Sequence, residues 1–169
     1  MIVHVPDIPA EGLSVTDAAA LGTVYRDPAW RLEDVRLRLE RDGLDVFVTG
    51  ELRARVSQTC GRCLAPSAVT VTAAIDVRLV PRPAIGDSVE LGAADLDVDF
   101  YEKDEFDLGA LIDAETSLAL PMKPLCREGC LGICPVCGGN RNVVACGCPP
   151  RPPDPRLAVL KDLAARLQH

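Results

Sequence analysis

The feature that most constrains this chain is its thiols. The stretch CREGCLGICPVCGGNRNVVACGC carries six of the eight cysteines: Cys126, Cys130, Cys134, Cys137, Cys146 and Cys148. The other two, Cys60 and Cys63, lie far upstream in CGRC. The opening residues MIVHVPDIPAEG lack the basic segment followed by an apolar one that marks a secretory signal. No apolar run approaches the roughly 20 residues of a membrane span. The expectation is a soluble cytoplasmic protein, and in a reducing compartment clustered cysteines bind metal or do redox chemistry rather than form structural disulfides.

Spacing suggests how the thiols divide. A zinc ion takes four thiolates in a tetrahedron, and a C-x-x-C turn supplies two of them. Cys134-Pro135-Val136-Cys137, followed by two glycines, is such a turn, and Cys146-Gly147-Cys148 lies close enough to complete the first site. Cys126 and Cys130 form half a site. Joined to Cys60 and Cys63 they give a second tetrahedron, although Cys126 or Cys130 could instead enter the local site. The expectation is two zinc ions per chain, or one if Cys60 and Cys63 stay apart. Four thiolates also suit mononuclear iron. Two filled zinc sites would take the net charge from −7 to −11.

Alternation defines the rest. In VRLRLER, Val35, Leu37 and Leu39 alternate with polar residues, the period of a half-buried strand. Asp42-Gly43 signals a hairpin. Leu44, Val46, Val48, Gly50, Leu52, Ala54 and Val56 share one parity, which predicts one long strand bulged at Gly50. A third run places Val69, Val71, Ala73, Ile75, Val77 and Leu79 on one face, with the CGRC turn at the tip between the second and third strands. Leu96–Glu102 reads as a further strand with Leu96, Val98 and Phe100 on one side, after a loop over residues 81–95. Asp107 reads as the N-cap of a helix with Leu108, Leu111, Ile112, Glu115, Leu118 and Ala119 on one stripe, ended by Pro121. Thr16 or Asp17 caps a helical turn over Ala18–Leu21 that Gly22 ends. After the stiff PPRPPDP linker, Asp154 and Pro155 open a final helix with Leu157, Leu160, Leu163, Ala164 and Leu167 as its stripe. The fold class is therefore α+β: a mainly antiparallel sheet, as a meander or partly open barrel, with two or three helices and a C-terminal cysteine-rich zinc module. The expected divisions are a weakly defined segment 1–33, a sheet-and-helix core 34–121, the metal module 122–149, and the linker with its helix 150–169.

Residues 87–115 carry eleven acidic side chains against one basic. A chain this acidic is not a general nucleic-acid coater, because phosphate binding needs local positive charge. The acidic stretch reads as a solvated loop or as a face for a basic protein partner. Arg36 and Arg38 share the outer face of the first strand, and Arg53 and Arg55 that of the second. Arg62, Lys123, Arg127 and Arg141 accompany the thiols. Arg53, Arg55, Arg62, Lys123, Arg127 and Arg141 are the candidate RNA contacts; the simpler reading pairs the strand arginines with Asp34, Glu40 and Glu51. Aromatic residues make up only 4%, too few for a base-stacking platform. The only histidines, His4 and His169, sit near the ends, and no G-x-S-x-G, P-loop or dinucleotide motif occurs. Nothing marks an enzyme or a small-molecule substrate. C-x-C with C-x-x-C also occurs in redox-regulated chaperones that release zinc on oxidation, and a plain structural adaptor is a third reading.

The motifs CGRCL, LALPMKPLCREGCLGICPVCGGNRN, CGC and DPRLAVLKDL together resemble the YceD family, named for large ribosomal RNA subunit accumulation. The resemblance covers roughly residues 30–165. Arg141 departs from it, standing between two asparagines where the family pattern carries an apolar residue. The resemblance implies a non-enzymatic ribosome-biogenesis factor acting in synthesis, processing or accumulation of large-subunit ribosomal RNA, with that RNA, a ribosomal protein, or both as partner. It carries over no catalytic residues.

Overall fold

The structure is a computed structural model, and it describes residues 1–83, 92, 98–149, 154, 156 and 160. The chain divides into two units: Met1–Gln58 with Pro66–Pro124, and Thr59–Ala65 with Leu125–His169.

The first unit is the sheet and its helix. β1 (Ile2–His4) is followed by a single 3-10 turn and β2 (Leu13–Val15). The long strands are β3 (Arg31–Asp42), β4 (Asp45–Thr59) and β5 (Pro66–Pro81). β6 (Val98–Tyr101), β7 (Glu105–Asp107) and α1 (Leu108–Leu118) complete it. Five strands form one sheet in the order β2-β3-β4-β5-β6, and β1 pairs with β7 in a second. The mainly antiparallel sheet expected from alternation is what the chain forms.

The buried parity is the one the sequence dictates. Val35, Leu37 and Leu39 of β3, Val46, Val48, Leu52, Ala54 and Val56 of β4, and Val71, Ala73, Ile75 and Leu79 of β5 are all buried in one core. Fully burying each large aliphatic side chain contributes about 1.5–3 kcal/mol. The β3–β4 hairpin closes through Gly43-Leu44, between the paired Asp42 and Asp45. Gly43 takes φ +62°, the first-position glycine that a II′ turn requires. α1 packs on β5 and β1, with Leu108, Leu111 and Ile112 buried. Asp107 caps it, accepting the Gly109 N–H at 2.9 Å.

Three expectations change, and one strand takes a direction the sequence leaves open. The bulge is not at Gly50: the register shifts between Leu32 and Asp34, so the extra residue is Glu33 on β3. Gly50 is needed for another reason. A Cβ there would collide with the Arg36 carbonyl oxygen, and its φ is +140°, so only a residue without a side chain lets the strands approach. β6 runs parallel to β5, a direction that four alternating residues do not encode. Its inward residue is Tyr101, whose hydroxyl donates to the Leu44 carbonyl at 2.6 Å, while Phe100 faces out. On α1, Leu118 is 78% exposed and Thr116 is fully buried instead. Thr116 is admitted because its hydroxyl donates to the Ile112 carbonyl at 2.7 Å and bonds the Tyr25 hydroxyl at 3.0 Å.

The first 33 residues are well tied in. β1 pairs with β7, β2 pairs with β3, and the 18–21 turn has Asp17 accepting the Ala19 N–H at 2.8 Å, so Asp17 rather than Thr16 is the cap. Three-residue strands are too short to show a period. The sequence-predicted Leu96 position, most of the 81–95 loop and most of the linker and final helix lie outside the described residues. At its start, Asp154 accepts the Arg156 N–H at 3.0 Å.

Candidate metal centres

Both thiol groups belong to the second unit, which joins the turn 59–65 to the C-terminal segment. Two sets of four sulfurs converge: Cys60, Cys63, Cys126 and Cys130 in one, Cys134, Cys137, Cys146 and Cys148 in the other. Within each set all sulfurs lie within 4.8 Å of one another. This is the grouping that the spacing suggests, with neither Cys126 nor Cys130 exchanged into the local site.

The two C-x-x-C turns are built alike. In the first, the Leu64 N–H donates to the Cys60 carbonyl at 3.0 Å and the Cys60 N–H to the Ala65 carbonyl at 2.9 Å. In the second, the Gly138 N–H donates to the Cys134 carbonyl at 2.9 Å and the Cys134 N–H to the Gly139 carbonyl at 2.8 Å. The residue after the second cysteine is left-handed in both: Leu64 at φ +60° and Gly138 at φ +72°. Glycine adopts this conformation freely, and leucine does so at a cost.

The distances fit a metal. A tetrahedral zinc with Zn–S of about 2.3 Å separates its sulfurs by about 3.8 Å. Cys60 Sγ and Cys130 Sγ are 3.8 Å apart, and Cys63 Sγ and Cys126 Sγ 3.7 Å. All eight cysteines are free thiols. Each group therefore has the donor set, count and spread to hold one ion, and zinc suits them. Bound there, zinc would supply a structural crosslink, since four protein ligands leave no open position.

The surroundings favour thiolate. Backbone N–H groups of Cys63, Cys126 and Arg62 pull the Cys60 thiol down to about 6. Those of Cys137 and Val136 pull Cys134 down to about 6 as well. Burial, with the neighbouring sulfurs, pushes Cys126 up to about 12. Cys148 is pushed up to about 12 by its bond with Cys137 and by burial. In the metal-free cluster some sulfurs ionise early and hold protons on the others.

Asn142 is a site residue that the sequence reading missed. Its amide nitrogen donates to Cys130 Sγ at 3.3 Å and to Asn140 Oδ1 at 2.8 Å. Its Oδ1 accepts from Arg127 Nη2 at 2.8 Å and from the Leu131 N–H at 2.9 Å. All four of its bonding positions are used, which fixes the amide orientation. The GGNRN motif is visible in the sequence, but nothing in its spacing aims an amide at a sulfur twelve residues back.

The candidate RNA contacts divide. Arg62 donates to the Cys130 carbonyl at 3.2 Å, and Arg127 is held by Asn142, so both brace the thiol unit. Arg141 is exposed and lines the cavity shared by Cys134, Cys146 and Cys148, a cation beside a cluster that would carry −2 when filled. Being exposed, it does not disturb the turn. Lys123 belongs to the first unit, not the thiol unit. Arg53 lies 3.4 Å from Glu33. Arg36 pairs with Asp34 at 3.2 Å and Glu51 at 2.8 Å, and Arg38 with Glu40 at 2.7 Å, as the simpler reading expected. Arg55 stands directly opposite Arg31 with no ion pair among the described residues.

The family model of the large ribosomal RNA subunit accumulation protein YceD matches residues 48–164, a span that takes in every one of these cysteines. The chain belongs to the YceD family. Similar proteins are found in Mycobacterium bovis and in two strains of Mycobacterium tuberculosis; all three are called uncharacterized. Each is 34% identical over 108 residues, which are 63% of this chain and 50% of the relative. The chain thus spans about half the length of the curated relatives it matches. No solved structure matches it. Among the described residues no helix is long and apolar enough to cross a membrane.

Proposed function

We propose that this YceD-family chain is a zinc-stabilised binding protein that assists accumulation of the large ribosomal subunit, acting on its RNA, on a ribosomal protein, or on both. The observation that carries the reading is the family match over residues 48–164. Two closed four-thiolate clusters fit a structural role for the metal, because no ligand position is left for substrate. The reaction machinery of an enzyme has no counterpart among its motifs, so we read it as non-enzymatic.

The test is depletion of the protein from cells, followed by sedimentation of ribosomal subunits and measurement of large-subunit RNA and its precursors. Loss of the large subunit, or build-up of precursor RNA, supports the reading. Unchanged profiles under several growth conditions overturn it.

A further inference from the structure

The first unit holds an aromatic cavity beside an unpaired pair of arginines. The cavity, about 600 Å³, is lined by Tyr25, Asp27, Trp30 and Arg31 among others, a size that suits a small-molecule or nucleotide guest. Trp30, the only tryptophan, is half-buried. Its ring meets Tyr25 edge-to-face, with centroids 5.6 Å apart and an interplanar angle of 62°. Tyr25 is itself buried and fixed through its hydroxyl to Thr116 at 3.0 Å, which is anchored in turn on the Ile112 carbonyl. The indole is therefore held in place before any ligand arrives.

Arg31 follows Trp30 directly and lies opposite Arg55 in the β3–β4 register. Like charges directly opposed across antiparallel strands destabilise the pair, and neither guanidinium has an ion pair or side-chain hydrogen bond among the described residues. The nearby acids are already engaged: Glu33 with Arg53 at 3.4 Å, Asp34 with Arg36 at 3.2 Å, and Asp27 accepting the Ala29 N–H at 2.8 Å. An anion between the two guanidinium groups would relieve their repulsion.

We infer that this is a binding site for single-stranded RNA, with one base stacked on Trp30 and the adjoining phosphate held between Arg31 and Arg55. A multi-base platform is beyond a chain with 4% aromatic residues, but one base needs one ring, and stacking plus phosphate contact is how strands are held without sequence readout. The choice of RNA rests on the ribosomal reading above; the cavity and the arginine pair do not.

Trp30 is its own reporter. The zinc-loaded full chain is titrated with a short single-stranded oligoribonucleotide while tryptophan fluorescence is followed, and labelled-RNA anisotropy gives affinity independently. The expected result is saturable quenching. Arg31→Ala with Arg55→Ala should weaken binding about tenfold or more and flatten the log–log salt slope by roughly 0.7, the value for one single-strand phosphate. Trp30→Leu should weaken it roughly tenfold through lost stacking. The exposed arginine variant keeps the test open if Trp30→Leu fails to fold. RNA binding without quenching, or quenching indifferent to the arginine variant, overturns this site and leaves the ribosomal reading standing. Equal quenching by polyphosphate or by oligoglutamate also overturns it, since neither carries a base. An unchanged ribosome profile on depletion would instead strike the broader reading.

Discussion

The sulfurs of Cys60 and Cys130 lie 3.8 Å apart although 70 residues separate them. That distance is the edge of a zinc–thiolate tetrahedron rather than a disulfide bond, whose sulfurs sit about 2.05 Å apart. It ties the turn between β4 and β5 to the C-terminal segment within one unit.

Cys60→Ser should remove one metal and leave the other. Native mass spectrometry should fall from two zinc ions per chain to one, because Cys134, Cys137, Cys146 and Cys148 form a complete set of their own. Loss of both ions from this variant would show that the clusters are not independent.

Asn142→Ala should weaken the same site without touching a ligand. Its amide donates to Cys130 Sγ and holds Arg127 and the Leu131 N–H. Removing such a partner lowers metal affinity about 10–100-fold. Competition against a chromophoric chelator measures this, and the four-cysteine site at 134–148 should be unchanged.

The twin turns predict opposite responses to one kind of change. Gly138→Ala puts a side chain at φ +72° and should cost about 1–2 kcal/mol. Leu64→Gly removes that penalty at φ +60°, and the gain is partly offset by the greater freedom of glycine in the unfolded chain, so it should be neutral or stabilising by up to about 1 kcal/mol. Denaturant midpoints of the zinc-loaded variants would show the difference in sign.

The thiol ionisations set a pH dependence. Metal binds thiolate, so any sulfur still protonated must release its proton on binding, and affinity falls as pH falls. Cys126 and Cys148, pushed up to about 12, are protonated in the metal-free protein near pH 7 and give at least one proton per site. Cys60 and Cys134, near 6, are largely ionised there and add to the release only below that pH. The logarithm of affinity should therefore rise by at least one per pH unit around neutrality and more steeply below about 6. Calorimetry in buffers of different ionisation enthalpy counts these protons directly.

Much of this is legible in the sequence. Residues 35–39, 46–56 and 69–79 carry an apolar residue or Gly50 at every second position, and a two-residue period places every side chain once the buried face is known. The cysteine groups followed from ligand count and turn length. What escaped was non-local or very short. β1 and β2 span three residues each, too few to show a period. The bulge at Glu33 and the close approach at Gly50 depend on the partner strand. Thr116 replaces Leu118 inside because the Tyr25 hydroxyl, 91 residues away, waits for it. Arg31 carries no signal in the sequence because its importance comes from facing Arg55, and that pairing is a property of register.

The central claim is that two metal ions close the thiol unit, and counting them tests it most directly. Native mass spectrometry of the freshly purified protein, with elemental analysis to identify the metal, should give two zinc ions per chain. A chain that is folded by circular dichroism, has all eight thiols reduced, and binds no metal even after incubation with zinc would contradict the account.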